Sequence, residues 1–484
     1  MRAFACKLLG GGPAKVVFLG GSITAGRGAG NEAELSYVPR FARYLNATFP
    51  ASTIEFVNRG EPASSSGFAA PCVDALVGSS ADLVVLEYTA NDNEFVGLNS
   101  LERRAYEHLL RRLLSLDSRP AVVLLHAYQW WRAAGGGMTS GFFYKEPEQQ
   151  LTTLSHYYDV PSLSMRAAAW RSWWDGVDGF KVDKVLKEGQ HAPFEPNKSI
   201  AQAPAGEEAQ YFYNDVGHPS AQGHAALAEL LAALVQRSAA EAAAGLSPTA
   251  RQYAQLLPPP MQPAIQEGER DACIIHDGFK AAMAAKQGFQ YVAEVPDAAT
   301  RDAQKWGWVA RSVGEQAEMG MVGSKQVEGS QGVVYLAAAA AAACKLQCCA
   351  HCSTCCHMLT SPVPAGDWIE FQVDTSSSNA TGNTTLGNTT LGTTTGNTAL
   401  HLSFLRGWMV NYGDALVSCT SGCACDDTPF SCLSEFMFTM YVLQPVQVTR
   451  HPQCRIRVTV VDAPRAQPPT EHKVHLNALF VTSY

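Results

Sequence analysis

The run Val16-Val17-Phe18-Leu19-Gly20-Gly21-Ser22 limits what this chain can fold into more than any other stretch. Four strand-forming apolar residues without a polar interruption describe a strand buried on both faces, as in a parallel sheet covered by helices. Two glycines then break the strand and deliver a serine hydroxyl to its carboxyl end, followed by Ile23-Thr24-Ala25-Gly26. In open α/β sheets ligands bind beyond that end, where loops and helix N-termini present unpaired N–H groups. Ser22 is therefore the candidate nucleophile. The plainer reading of a serine after a glycine is a helix cap.

The same alternation continues through the first half. A helical pattern places Tyr37, Phe41, Tyr44 and Leu45 on one face, and a strand is expected at Ile54–Val57. Leu83–Tyr88 is a continuous apolar strand. A helix carrying Tyr106, Leu109, Leu110, Leu113 and Leu114 at three- and four-residue spacing follows, and then a strand at Ala121–His126. The last helix, Ala225 to Arg237, has one stripe of Leu227, Leu230, Leu231 and Leu234. Repeated strand–helix units predict a parallel sheet with helices on both faces.

Each strand end supplies a polar group. Asn58-Arg59-Gly60 follows the second strand, and its glycine lets a backbone N–H approach an anion closely. Thr89-Ala90-Asn91-Asp92 follows the third, with Asn91 as a further donor. Asp215-Val216-Gly217-His218-Pro219 precedes the last helix, with Pro219 expected at its first position. The three-residue spacing lets Asp215 hold one imidazole nitrogen of His218 while the other faces Ser22, which is a nucleophile, a base and an orienter. Taken singly, Asn58 and Asn91 read as turn residues, His218 as a cap and Asp215 as a loop carboxylate. Their joint placement at strand ends favours a site.

These four blocks resemble the SGNH, or GDSL-type, serine esterases and lipases. The resemblance covers about Lys15 to Arg237 and implies a flavodoxin-like α/β sheet. It implies Ser22, His218 and Asp215 as catalytic residues, and an oxyanion hole formed by Ser22 N–H, Gly60 N–H and the Asn91 side chain. It implies no metal and no cofactor. Gly21 stands where the family usually has aspartate, and Thr89-Ala90 where a glycine turn is common. Both departures bear on the substrate more than on the mechanism.

With 484 residues, two domains are expected. We place the esterase-type domain at 1–245, a proline-rich linker with the character of a semi-rigid spacer at 246–270, and a β-sandwich-like domain at 271–484. A formal charge of −8 without a basic stripe argues against nucleic acid as a partner. No apolar run reaches the length of a membrane span. The second half alternates instead, with half-buried strands expected at Trp368–Val373, Arg455–Val460 and Val474–Leu479. Together with Lys305–Ala310 and the cysteine-rich tail, this half resembles the β-domain that follows the esterase domain in some plant and algal members of the family.

Low-complexity insertions are expected at 327–361 and 375–399. The first runs from an alanine tract into Cys344, Cys348, Cys349, Cys352, Cys355 and Cys356, readable as a metal site or as thiols that bind nothing specific. Among Cys419, Cys423, Cys425, Cys432 and Cys454 two disulfides are expected, with one thiol left over. Sequons at Asn46, Asn197, Asn379, Asn383 and Asn388, together with this cysteine density, favour a glycoprotein of the secretory pathway or extracellular space, with the cytoplasm as the alternative. No signal peptide is recognisable in this chain.

Three functions fit. The first is a serine esterase that deacylates a carbohydrate such as an acylated polysaccharide, with the β-domain as substrate holder. The second is a lipid or thioester acylhydrolase, favoured if Trp130, Trp131, Trp173 and Trp174 line an apolar cleft rather than a core. The third is a non-enzymatic sugar-binding or structural module.

Overall fold

The computed structural model describes residues 1–131, 147–192, 195–246, 257–263, 265, 271–293, 306–310, 366–376, 397–408, 412–434, 439–461 and 473–482. The chain opens with α1 (Arg2–Leu9) and β1 (Ala14–Gly20), and a single turn of helix, α2 (Ser22–Ala25), begins at the candidate nucleophile. Then come α3 (Tyr37–Thr48), β2 (Ile54–Gly60), the short α4 (Ser66–Ala69), β3 (Leu83–Glu87), α5 (Leu101–Leu114) and β4 (Ala121–His126). The unit closes with α6 (Glu148–Tyr157), β5 (Ser162–Ser164), α7 (Met165–Trp174), a small hairpin of β6 (Gln190–Ala192) and β7 (Glu195–Ile200), and α8 (Ala221–Ala243).

Strands β1 to β5 form one parallel sheet in the order β2-β1-β3-β4-β5. This is the flavodoxin-like order, and its reversal beside β1 opens a crevice at the carboxyl edge. Alternate strand residues feed two separate cores. Val16, Phe18, Val85 and Leu125 pack with Phe41 of α3 and Leu231 of α8 on one face; Val17, Leu19, Val84 and Leu124 pack with Leu109 and Leu113 of α5 on the other. Uninterrupted apolar strands are what a sheet buried on both faces requires.

Helix α8 starts at Ala221, with the Ser220 side chain capping it, so Pro219 lies before the helix rather than at its first position. Pro219 instead makes an isolated bridge with Tyr213. That bridge holds the segment carrying Asp215 and His218 as a closed loop.

The second half contains β8 (Ala272–Ile275), α9 (His276–Ala281), β9 (Met283–Gln287), β10 (Phe289–Ala293), β11 (Trp306–Ala310), β12 (Trp368–Val373) and β13 (Asn397–Arg406). It continues with β14 (Asp414–Ser421), β15 (Thr428–Ser431), β16 (Met440–Thr449), β17 (Cys454–Val461) and β18 (Val474–Thr482). Two antiparallel sheets, β10-β11-β18-β13-β16 with β8 added beside β18, and β15-β14-β17-β12-β9, enclose a core that includes Leu402, Phe404 and Leu476 from the first and Phe371, Val417 and Ile456 from the second. Strand β17 alternates as expected. Strand β18 does not, because all nine of its residues are buried. Its outer face, with Ala478 and Phe480, packs on Phe68 and Cys72 of the first half, the Phe68 and Phe480 rings meeting edge to face at 5.5 Å.

The halves are joined in other ways. A disulfide links Cys72 to Cys273. The Asp271 carboxylate, its side chain without exposed surface, accepts from His108 Nε2 at 2.6 Å and from Arg112 at 3.2 Å. Tyr441 N–H donates to the Ala63 carbonyl at 2.9 Å. The described part of the proline-rich segment is docked on the α/β unit. The buried Glu107 carboxylate accepts the N–H groups of Met261 and Gln262, Arg111 donates to the Pro258 carbonyl, and Leu257, Met261 and Ile265 pack into the core beside α5.

The tail forms Cys419–Cys425 and Cys423–Cys454, the two pairs expected from the sequence, and Cys432, outside both, is buried. Both insertions fall largely outside the described residues, including all six cysteines from Cys344 to Cys356.

Candidate active site

Register fixes the site. Gly20 of β1 stands opposite Gly60 of β2 on one side and Glu87 of β3 on the other, so all three strands end at one level and their following residues meet over the crevice. Ser22 opens α2, where its N–H has no intrahelical acceptor. Its hydroxyl lies 2.8 Å from His218 Nε2. His218 Nδ1 lies 2.8 and 3.1 Å from the two oxygens of Asp215. Because a carboxylate only accepts, Nδ1 carries the imidazole proton, Nε2 is the bare nitrogen, and the Ser22 hydroxyl donates to it.

Asp215 is set for that role. Its Oδ1 also accepts the backbone N–H groups of Gly217 and His218 at 2.9 and 2.8 Å, and the Asn214 amide donates to Oδ2 at 3.1 Å. Burial alone would raise its pKa. The bond from His218 and the two backbone donors outweigh burial and hold it down to about 2, so the carboxylate stays charged across the neutral range.

Two glycines make room for this geometry. A Cβ on Gly21 would collide with the Asn91 carboxamide, so the residue that departs from the usual family pattern is the one that lets Asn91 lie against the turn carrying Ser22. Gly28, at φ +89°, passes so close to the His218 Cβ and the Pro219 carbonyl that a side chain there would displace the backbone carrying the imidazole.

Gly60 differs from its expected role. Its N–H already donates to Asn58 Oδ1 at 2.9 Å, while the Asn58 amide donates to the Thr24 carbonyl at 2.8 Å. The asparagine and glycine of this block thus tie β2 to α2, and the Gly60 donor is engaged within the protein.

Several supporting residues were not singled out from the sequence. Gln129, just past β4, donates to the Gly217 carbonyl at 2.8 Å, and Tyr213 O–H donates to the Tyr128 carbonyl at 2.5 Å, so the end of β4 braces the His218 loop. His224 accepts from Tyr37 N–H and faces the Arg27 carbonyl at 2.9 Å; burial lowers its pKa to about 4 and keeps it neutral. Glu87 is fully buried, accepts from Thr24 of α2 at 3.1 Å, and has its pKa pushed up to about 8 by burial, so it is protonated at neutral pH. A buried glutamate at a strand end offers no sequence signal apart from its place two residues before Thr89.

The four tryptophans differ in burial. Trp173 is core, stacked on Tyr128 at 5.4 Å and edge-on to Phe212; Trp130 and Trp131 are half-buried; Trp174 is 64% exposed. A cavity of about 230 Å³ lies between the two halves. Ser66, Asn91, Asp92 and Phe95 line it on one side, Arg406 and Tyr441 on the other.

Residues 18–226 match the sequence model of the GDSL-like Lipase/Acylhydrolase family. This segment is a GDSL-like lipase/acylhydrolase domain. It makes the protein a carboxylic ester hydrolase. The fold extends the likeness to the whole chain. A solved two-domain esterase (CEX), described as active on acetylated mannans, matches with a TM-score of 0.56 and 16% identity over 98% of this chain and 92% of its own. The same esterase co-crystallized with mannopentaose matches with a TM-score of 0.56 and 15% identity over the same shares. The GDSL-like domain followed by an antiparallel β unit is thus a shared two-domain fold. No curated protein matches this chain.

Proposed function

We propose that this protein is a serine esterase that removes acyl groups, acetyl in the first instance, from a carbohydrate, with Ser22 as nucleophile, His218 as base and Asp215 as orienter. The observation that carries the reading is the unbroken chain from the Ser22 hydroxyl through His218 to Asp215, with each contact between donor and acceptor at about 2.8 Å. In the reaction His218 Nε2 takes the Ser22 proton as Oγ attacks the ester carbonyl. The imidazolium, held by Asp215, then gives that proton to the leaving alcohol. The acyl-serine is released by water, activated by the same imidazole.

Negative charge on the former carbonyl oxygen is met by the Ser22 N–H and the Asn91 amide. Removing one such donor typically costs about 3 kcal/mol of transition-state stabilisation. Gly60 N–H would join them only by giving up Asn58. The cavity walled by both halves supports a substrate-holding role for the β unit. The described disulfides favour an oxidising compartment.

The test is a series of p-nitrophenyl esters of rising chain length beside acetylated mannan and xylan, with a fluorophosphonate probe to mark the nucleophile. Acetate preference, acetate release from polymer and labelling on Ser22 are expected. Labelling elsewhere would end the Ser22 assignment. A strong preference for long acyl chains with no release from polymer would transfer the reading to a lipid acylhydrolase.

A further inference from the structure

The Asn91 side chain lies against Gly21, yet its amide has no protein hydrogen-bond partner among the described residues. A donor that must point at a developing oxyanion but has no hydrogen bond at its tip is aimed by its packing on Gly21 and through its backbone. Two bonds fix the start of that backbone, since the N–H groups of Asn91 and Asp92 both donate to the Tyr88 carbonyl, at 2.9 and 2.8 Å.

The rest of the loop is fixed from below by an arginine with no exposed surface. Arg103, on α5, donates through Nη2 to the Asn93 carbonyl at 2.6 Å and through Nε to the Gln150 side chain. The Gln150 amide in turn donates to the Val96 carbonyl at 2.8 Å. Arg103 Nη1 stands 3.9 Å from Asp92 Oδ2. Asp92, also buried, accepts the Ser66 N–H at 2.9 Å and the Ser66 hydroxyl at 2.8 Å, which ties the loop to α4 as well. Burial raises the Asp92 pKa, and the Arg103 charge and the Ser66 donors oppose that rise.

An arginine and a carboxylate taken wholly out of water cost several kcal/mol each unless their geometry compensates. An apolar pair would hold α5 to the sheet at lower cost. What the charged pair adds is direction. The planar guanidinium donates to a carbonyl and an amide from one rigid fork and holds its charge 3.9 Å from the Asp92 carboxylate, so two of its three partners lie on residues 92 and 93.

We propose that Arg103, with Asp92, Ser66 and Gln150, is a positioning cluster that aims the Asn91 amide into the oxyanion hole. The proposal rests on the reading of Asn91 as an oxyanion donor. Arg103 touches no reacting atom and acts only through the loop.

The experiment is a double-mutant cycle between Arg103→Met and Asn91→Ala on the full chain, with p-nitrophenyl acetate as substrate. Arg103→Met alone is expected to lower kcat roughly 10- to 100-fold with KM within about threefold, since the aim of a transition-state donor is what is lost. On the Asn91→Ala background the same substitution should lower kcat less than about twofold further, because its only route of action has gone. A cluster that merely supports the fold would impose its full loss on both backgrounds, and that result overturns the proposal while leaving the oxyanion reading intact. An Asn91→Ala variant with unchanged kcat overturns both. If Arg103→Met does not fold, Gln150→Ala runs through the same cycle. It should show a smaller loss that is likewise absent on the Asn91→Ala background, and equal losses on both backgrounds overturn the proposal there too.

Discussion

The two halves bury similar kinds of residue and use them differently. In the α/β half, parallel strands end together at one edge, so residues distant in sequence arrive at one level with polar groups facing one crevice. In the β half, antiparallel strands end at both edges, and its polar and covalent features are spread out: the cystines at one end of β14 and β17, and the buried Asp271 carboxylate at the junction with the first half. Among the described residues, the Ser–His–Asp chain belongs wholly to the first half. Parallel alignment gathers chemistry, and antiparallel alignment leaves a surface for holding or bracing.

The sharpest way to break this contrast is to remove the gathered chemistry. Ser22→Ala and His218→Ala should each lower kcat by roughly four to six orders of magnitude, with the double variant scarcely worse, because groups acting as a unit are not additive. Substantial residual turnover in Ser22→Ala, measured in preparations free of wild-type enzyme, would place the chemistry elsewhere. Next in size is Asn91→Ala, expected to cost about 100- to 1000-fold in kcat with little change in KM. A loss confined to KM would make Asn91 a ground-state contact.

How much of this was legible in the sequence follows from the same contrast. Strands β1, β3 and β4 declare themselves because burial on both faces demands unbroken apolar runs, and the blocks containing Ser22, Asn91, Asp215 and His218 sit directly at their ends or before α8. Strand β5, Ser162-Leu163-Ser164, is three residues at the sheet edge and carries no such signal. Strand β18 is misread as half-buried because a single sequence cannot say that Phe68 and Cys72 cover its outer face. Arg103 looks like any solvent-facing arginine of an amphipathic helix, since what buries it is Asp92, Gln150 and the Asn93 carbonyl, none of them within one helical turn. The proline-rich segment reads as a spacer on composition, whereas Leu257, Met261 and Ile265 are enough to dock it.

The junction allows a third test. Cys72→Ser with Cys273→Ser should destabilise the protein by about 2 to 5 kcal/mol, read as a lower denaturant midpoint. If the melt then splits into two transitions, the halves are separable units; a single lower transition makes them one cooperative body.

The last test concerns Glu87. Its carboxyl ionises at about 8 in the folded protein against 4.5 for an unperturbed carboxyl. Between these values only the unfolded chain sheds the proton, so the contribution of Glu87 to stability falls as pH rises through that window, by up to ~1.4 kcal/mol per pH unit. Glu87→Gln should flatten the fall in unfolding free energy between pH 5 and 8. An unchanged slope would mean that Glu87 is not the group responsible.

The Cys72–Cys273 bond has a topological consequence. It closes a covalent ring across a sequence separation of 201 residues. Asn91, Asp215 and His218 lie within that ring; Ser22 and Gly60 lie on the arm that precedes it. A protease that cuts once between the last helix of the esterase unit and Cys273 therefore releases nothing. The product is a two-chain protein in which nucleophile and base remain on one polypeptide, the β unit keeps its packing and, among the described residues, one covalent link to it, and on a denaturing gel a reductant is what tells the nicked molecule from the intact one by size.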